Sequence, residues 1–287
     1  MKNRLLCLAL LCLSANAFAQ KIVDAKVQKL YELAETDFKK FAEEIAGNSK
    51  SDFTRTKNIV TWFAEHFDWK STDYKKRTPQ EIIERRGGNC NELALVSIEC
   101  MKALGIQYRR VREINLHVET PRRQEDAAKK VLESGNRMSV FGWRHNDHVW
   151  IEVFDPKTNE WFPADPSMGA VGNEQWLAAR YGFGDRFTLN PISKDMVAPF
   201  AVFAYDDKGN FTENRSKHYA VDGFNNLYNE KLQDLPSWNN WVQGIEILSV
   251  KAQEAFAGKT NLHDYTEDIH ELWKTYYQLK VEYFEKK

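Results

Sequence analysis

Cys90 follows Gly87-Gly88-Asn89 and opens a stretch to Leu104 that is apolar on nearly every side, through Leu93, Leu95, Val96, Ile98, Met101 and Leu104. A helix of that kind lies inside a domain. Its first residue stands among backbone N–H groups without acceptors and beside a partial positive charge. Both favour the thiolate, the nucleophilic form of cysteine. The glycines are expected to admit a substrate backbone. Taken alone, the segment also fits a small buried residue at a tight turn. Cys100, ten residues on among apolar neighbours, is expected to be core packing. On one helix the two cysteines stand roughly 15 Å apart, beyond disulfide reach.

A thiolate nucleophile needs an imidazole partner, and the imidazole needs an orienter. His148 heads an expected strand, Val149–Phe154; the turn Asp155–Asn159 leads into a second, Glu160–Asp165. Pairing Phe154 with Trp161 puts Trp150 opposite Asp165, and His148 becomes the diagonal neighbour of Asp165 on one face. A carboxylate there fixes the ring's tautomer and leaves its other nitrogen for Cys90. Asp147 points to the opposite face of the strand. His145 and His148 form a His-x-x-His pair, but no Glu or paired Cys stands at zinc-ligand spacing, so no metal site is expected.

These residues need a scaffold. Apolar residues at three- and four-residue steps predict one helix over Ile22–Ile45 and another over Asp52–Phe67. Thr78 and Pro79 suit the cap and first turn of a third. Gly105 ends the nucleophile helix, and Ile106–Val111 reads as a strand. Pro121–Ser134 reads as a charged surface helix or loop. From about residue 222 only helices are expected, with Trp238, Trp241, Ile245 and Leu248 on one face and Ile269, Leu272, Tyr276 and Leu279 on another.

The start of the chain carries Lys2 and Arg4, an apolar run from Leu5 to Leu13, and Ala17-Phe18-Ala19, which reads as a signal peptide cut after Ala19. Losing Lys2 and Arg4 from 40 basic residues leaves 38 against 41 acidic ones. That balance does not call for nucleic acid as a partner. After cleavage no stretch approaches membrane-spanning length. The remainder is expected to be exported, to the periplasm or beyond, with Cys90 and Cys100 as its only thiols.

Gly88-Asn89-Cys90-Asn91-Glu92-Leu93-Ala94, running on through Leu104-Gly105-Ile106 to Arg109-Arg110-Val111, resembles the nucleophile segment of the transglutaminase-like superfamily. His148-Val149-Trp150-Ile151-Glu152-Val153 resembles that family's His strand, and Trp161-Phe162-Pro163-Ala164-Asp165-Pro166 its Asp strand. The resemblance covers roughly residues 55–170. It implies an α+β, papain-like core in which a nucleophile helix packs on an antiparallel sheet, with Cys90, His148 and Asp165 as a catalytic triad and no metal or organic cofactor. Together with the signal and helix patterns above, the expected domains are a signal peptide (1–19), an N-terminal helical extension (20–54), the catalytic core (55–221) and a C-terminal helical subdomain (222–287). The implied chemistry is acyl transfer or hydrolysis at amide bonds of a peptide, protein or peptidoglycan-type substrate. Protein-glutamine cross-linking and a non-catalytic peptide-binding module of the same fold are the alternatives. The family's oxyanion site needs a second donor upstream of the Cys; Trp69 is the candidate, with core aromatic as its competing role.

Overall fold

A computed structural model describes residues 25–71, 73, 75–116, 129, 148–183 and 198–286. The expected signal peptide, His145, Asp147 and nearly all of Pro121–Ser134 lie outside the described residues. Six strands form one antiparallel sheet in the order β6-β5-β4-β3-β7-β8. They are β3 (Tyr108–Asn115), β4 (His148–Asp155), β5 (Glu160–Asp165), β6 (Ala170–Val171), β7 (Pro199–Tyr205) and β8 (Phe211–Asn214). With helices on both faces, the fold is α+β.

On one face lie α1 (Ala25–Thr36), α2 (Phe38–Ala46), α3 (Asp52–His66), α4 (Pro79–Glu84) and α5 (Cys90–Leu104). Their apolar sides share a core with Val149, Ile151 and Val153 of β4. On the other face, α6 (Asn173–Tyr181), α7 (Phe224–Leu227), α8 (Trp238–Phe256) and α9 (Thr266–Glu285) share a core with Val111, Trp150 and β7. Trp238, Trp241 and Tyr276 are buried there, as their helical spacing predicts, and the Trp241 indole N–H donates to the Ala220 carbonyl at 2.7 Å. A large apolar side chain buried this fully contributes about 1.5–3 kcal/mol.

Two expected elements differ. The single helix over Ile22–Ile45 is broken at Asp37, whose side chain accepts from the Lys40 N–H and caps α2. An Asp that satisfies a free helical N–H favours a new helix start over continuation. The strand expected from Ile106 begins at Tyr108 instead. Gly105 takes the left-handed conformation and the Ile106 N–H returns to the Met101 carbonyl at 2.9 Å, so Ile106 completes the helix cap.

Candidate active site

The nucleophile segment is tied down on both sides. A short strand, β1 (Asp68–Trp69), pairs in parallel with β2 (Gly87–Gly88). A Cβ on Gly87 would meet the Asp68 carbonyl oxygen at 2.1 Å, and one on Gly88 would meet the Glu92 side chain at 2.7 Å. The space above both glycines is therefore filled by the chain itself rather than left for a substrate. Their role is to let β1 and Glu92 close on the turn. Glu92 completes a capping box, accepting from the Asn89 N–H at 3.0 Å, and is ion-paired with Arg77 at 2.7 Å and Arg85 at 3.3 Å.

Asn89 accepts from the N–H groups of Asn91 and Glu92 at 3.0 and 3.1 Å, and not from that of Cys90. The Cys90 N–H belongs to the first helical turn, where no intrahelical acceptor exists. It is thus available to a carbonyl oxygen that gains charge when the sulfur adds to the carbonyl carbon. Replacing Asn89 with Ala is expected to cost about 1 kcal/mol, read as a lower urea midpoint, and Asn89→Ser to recover most of it. Equal losses in both variants would mean that the cap does not hold this turn.

Cys90 is 5 % exposed and unpaired. Although α5 packs on the β4 face that carries Val149 and Ile151, His148 has the opposite alternation, with Trp150. The two come together because each is the first residue of its element: the ring at the start of β4 lies within electrostatic reach of the sulfur at the start of α5. The hairpin register is the one the spacing predicts, Phe154 opposite Trp161 and Ile151 opposite Ala164. Across it, His148 Nε2 lies 2.5 Å from Asp165 Oδ2. Asp165 is fully buried, and its other oxygen accepts from the Ser167 N–H at 3.0 Å and hydroxyl at 2.7 Å. With Nε2 given to Asp165, Nδ1 is the nitrogen left for Cys90.

Electrostatics follow from this geometry. Burial opposes charge on His148, but the Asp165 carboxylate and the Cys90 sulfur outweigh it and hold its pKa well above the usual histidine value. An imidazolium beside a sulfur favours the thiolate. Cys100 is the contrast: it is fully buried in the middle of α5, and burial pushes its thiol up, away from ionisation.

Trp69 is not a core aromatic. It is 64 % exposed on β1, paired with Gly88 two residues before Cys90. The sequence reading does not reach Glu113 and Arg180, which lie behind His148. Local sequence offers no signal for them: Glu113 stands in a strand with Arg109, Arg110 and Arg112, which reads as an exposed charged stretch.

Residues 39–166 match the family model of the transglutaminase-like superfamily. The chain is 22 % identical over 142 residues to a mouse peptide-N(4)-(N-acetyl-beta-glucosaminyl)asparagine amidase, a match covering 49 % of this chain and 17 % of that one. The chain thus spans under a fifth of the amidase. Among solved structures it is similar to a Cytophaga hutchinsonii protein provisionally described as a cysteine protease (15 % identity, 51 % of this chain and 43 % of that one, TM-score 0.33). It is also similar to a chain of a Rad4–Rad23 complex bound to a 6-4 photoproduct lesion (12 % identity, 88 % and 51 %, TM-score 0.34). At these scores neither structural likeness bears on chemistry.

Proposed function

We propose that this chain is an exported cysteine hydrolase that opens peptide or side-chain amide bonds through a Cys90 thioester. The observation behind the reading is the joining of three groups: a sulfur on a capped helix start, an imidazole within its electrostatic reach, and a buried carboxylate 2.5 Å from that imidazole. The Cys90 thiolate attacks the amide carbonyl carbon. The C–N bond breaks as the His148 imidazolium gives its proton to the leaving amine, and a thioester remains. Water then attacks the thioester with His148 as base, releasing a carboxylic acid and restoring the thiol. The Cys90 N–H is one oxyanion donor, and Trp69 is the candidate for the second. The named activity of the mouse relative, an amidase, agrees with side-chain amides as substrates. Water is the default acceptor, which favours hydrolysis over cross-linking.

Brief treatment with iodoacetamide at pH 6.5, followed by peptide mapping, tests the nucleophile. Label is expected on Cys90 and not on Cys100, and Cys100→Ser is expected to leave the Cys90 rate unchanged. Label confined to Cys100, or none on either, would refute the assignment. Incubating a glutamine-containing protein with a fluorescent primary amine separates the outcomes, since stable amine incorporation would make the chain a cross-linker.

A further inference from the structure

His148 sits between two strands, and each brings it a carboxylate. From β5 comes Asp165, bonded to the ring. From β3 comes Glu113, directly opposite His148 in the register and fully buried. Residues so placed have Cβ atoms about 4.5–5.5 Å apart. Glu113 nevertheless turns to other partners. Its Oε2 accepts from the Trp150 indole N–H at 2.9 Å, and its Oε1 is ion-paired with Arg180 of α6. Arg180 is 6 % exposed and its guanidinium also rests on the Met168 sulfur, three residues past Asp165.

We propose that Arg180 is a positioning residue for the Cys90–His148–Asp165 group, neutralising Glu113 so that Asp165 is the one carboxylate acting on the ring. The proposal rests on the nucleophile reading above. A bare carboxylate opposite the imidazole would offer a second proton partner and a second attraction for its charge. Opposite charges at this range shift a titration by one to three pH units. Burial draws the Arg180 guanidinium down to about 10, with Tyr181 and Cys90 acting in the other direction, so it remains charged at neutral pH and within the field of the sulfur. Among the described residues, the groups that face His148 are Cys90 from α5, Asp165 from β5 and Glu113 from β3, the last backed by Arg180 from α6. Glu152 follows on the same face of β4 and is closed by Arg109, Arg215 and Tyr219. The Tyr181 hydroxyl is committed to the Pro199 carbonyl.

Carboxymethylation of Cys90 by iodoacetate tests this without a known substrate. The reagent is an anion, favoured while the ring is an imidazolium, so its rate falls as the ring loses its proton. That alkaline limb reads His148. Glu113→Gln leaves the Arg180 charge uncompensated and is expected to move the limb down by about one pH unit. The double variant Glu113→Gln/Arg180→Met removes both charges and is expected to return it to the wild-type position. A double variant that stays down would mean Glu113 acts on the ring directly, and an unmoved limb in Glu113→Gln would mean the pair is only structural; either overturns the proposal. Should Glu113→Gln fail to fold, Arg180→Met decides, because the freed carboxylate is expected to move the limb up and an unmoved limb overturns. If wild-type Cys90 takes no label, the nucleophile reading fails instead.

Discussion

His148→Ala is expected to lower amide turnover by about 10²–10⁴-fold, the usual contribution of a positioned acid–base group, while leaving the fold intact. The ring is at the first position of β4 and its polar partners are Asp165 and Cys90, so its removal does not open either core. A substrate is not needed to see the effect. An ordinary thiol at pH 6 is ionised to roughly one part in 300, so without its imidazolium partner Cys90 should react with iodoacetamide about tenfold or more slowly at that pH. By pH 9 the gap should close, because an ordinary thiol is then largely ionised. The same ring has a linkage signature. Its folded pKa is raised, so the stability it adds is fully present below the ordinary histidine value of 6.5 and fades as pH rises through the folded value. Melting curves of wild type and His148→Ala should therefore differ most near pH 6 and converge in alkaline buffer. Equal alkylation rates of the two proteins at pH 6 would remove the imidazole from the mechanism.

The parts of this site written into short segments could be read in advance. Asn89-Cys90 at the head of an apolar run is a local signal, because capping and helix start depend on neighbours in sequence. The His148–Asp165 relation is also local: a hairpin of this length has few registers, and alternation places both residues on one face. The rest depends on partners far along the chain. Arg180 meets Glu113 only after β3 and β4 have paired and α6 has packed beneath them, and no spacing rule links positions 113 and 180. β7 is buried at every position, a pattern shared with a core helix, and periodicity does not separate the two. The paired glycines mislead for the same reason. Their sequence suggests room for a ligand, whereas Asp68 and Glu92 arrive from either side to fill it.

Glu152→Ala is expected to be the most damaging substitution for stability outside the aromatic core. The carboxylate is fully buried and accepts from Arg109 Nε at 2.5 Å, Arg215 Nε at 3.0 Å and the Tyr219 hydroxyl at 2.5 Å. Those arginines also share Glu213 at 2.7 and 3.1 Å, but that residue lies nearer the surface on β8. Removing Glu152 leaves two guanidinium groups that are largely shielded from water with one partly exposed carboxylate between them. Breaking a buried pair by deleting one partner costs about 3–5 kcal/mol. At about 2–4 °C per kcal/mol for a domain of this size, the melting temperature should fall by roughly 10 °C. The damage should come from stranded charge rather than lost volume, which a second variant separates: Glu152→Gln keeps the shape and two acceptor lone pairs, yet still strands the arginines, and should recover only a minor part. Tyr219→Phe, which removes one donor and leaves both ion pairs, should cost about 1 kcal/mol. A Glu152→Ala protein that melts within a degree or two of wild type would show that Glu213 alone suffices to hold both arginines.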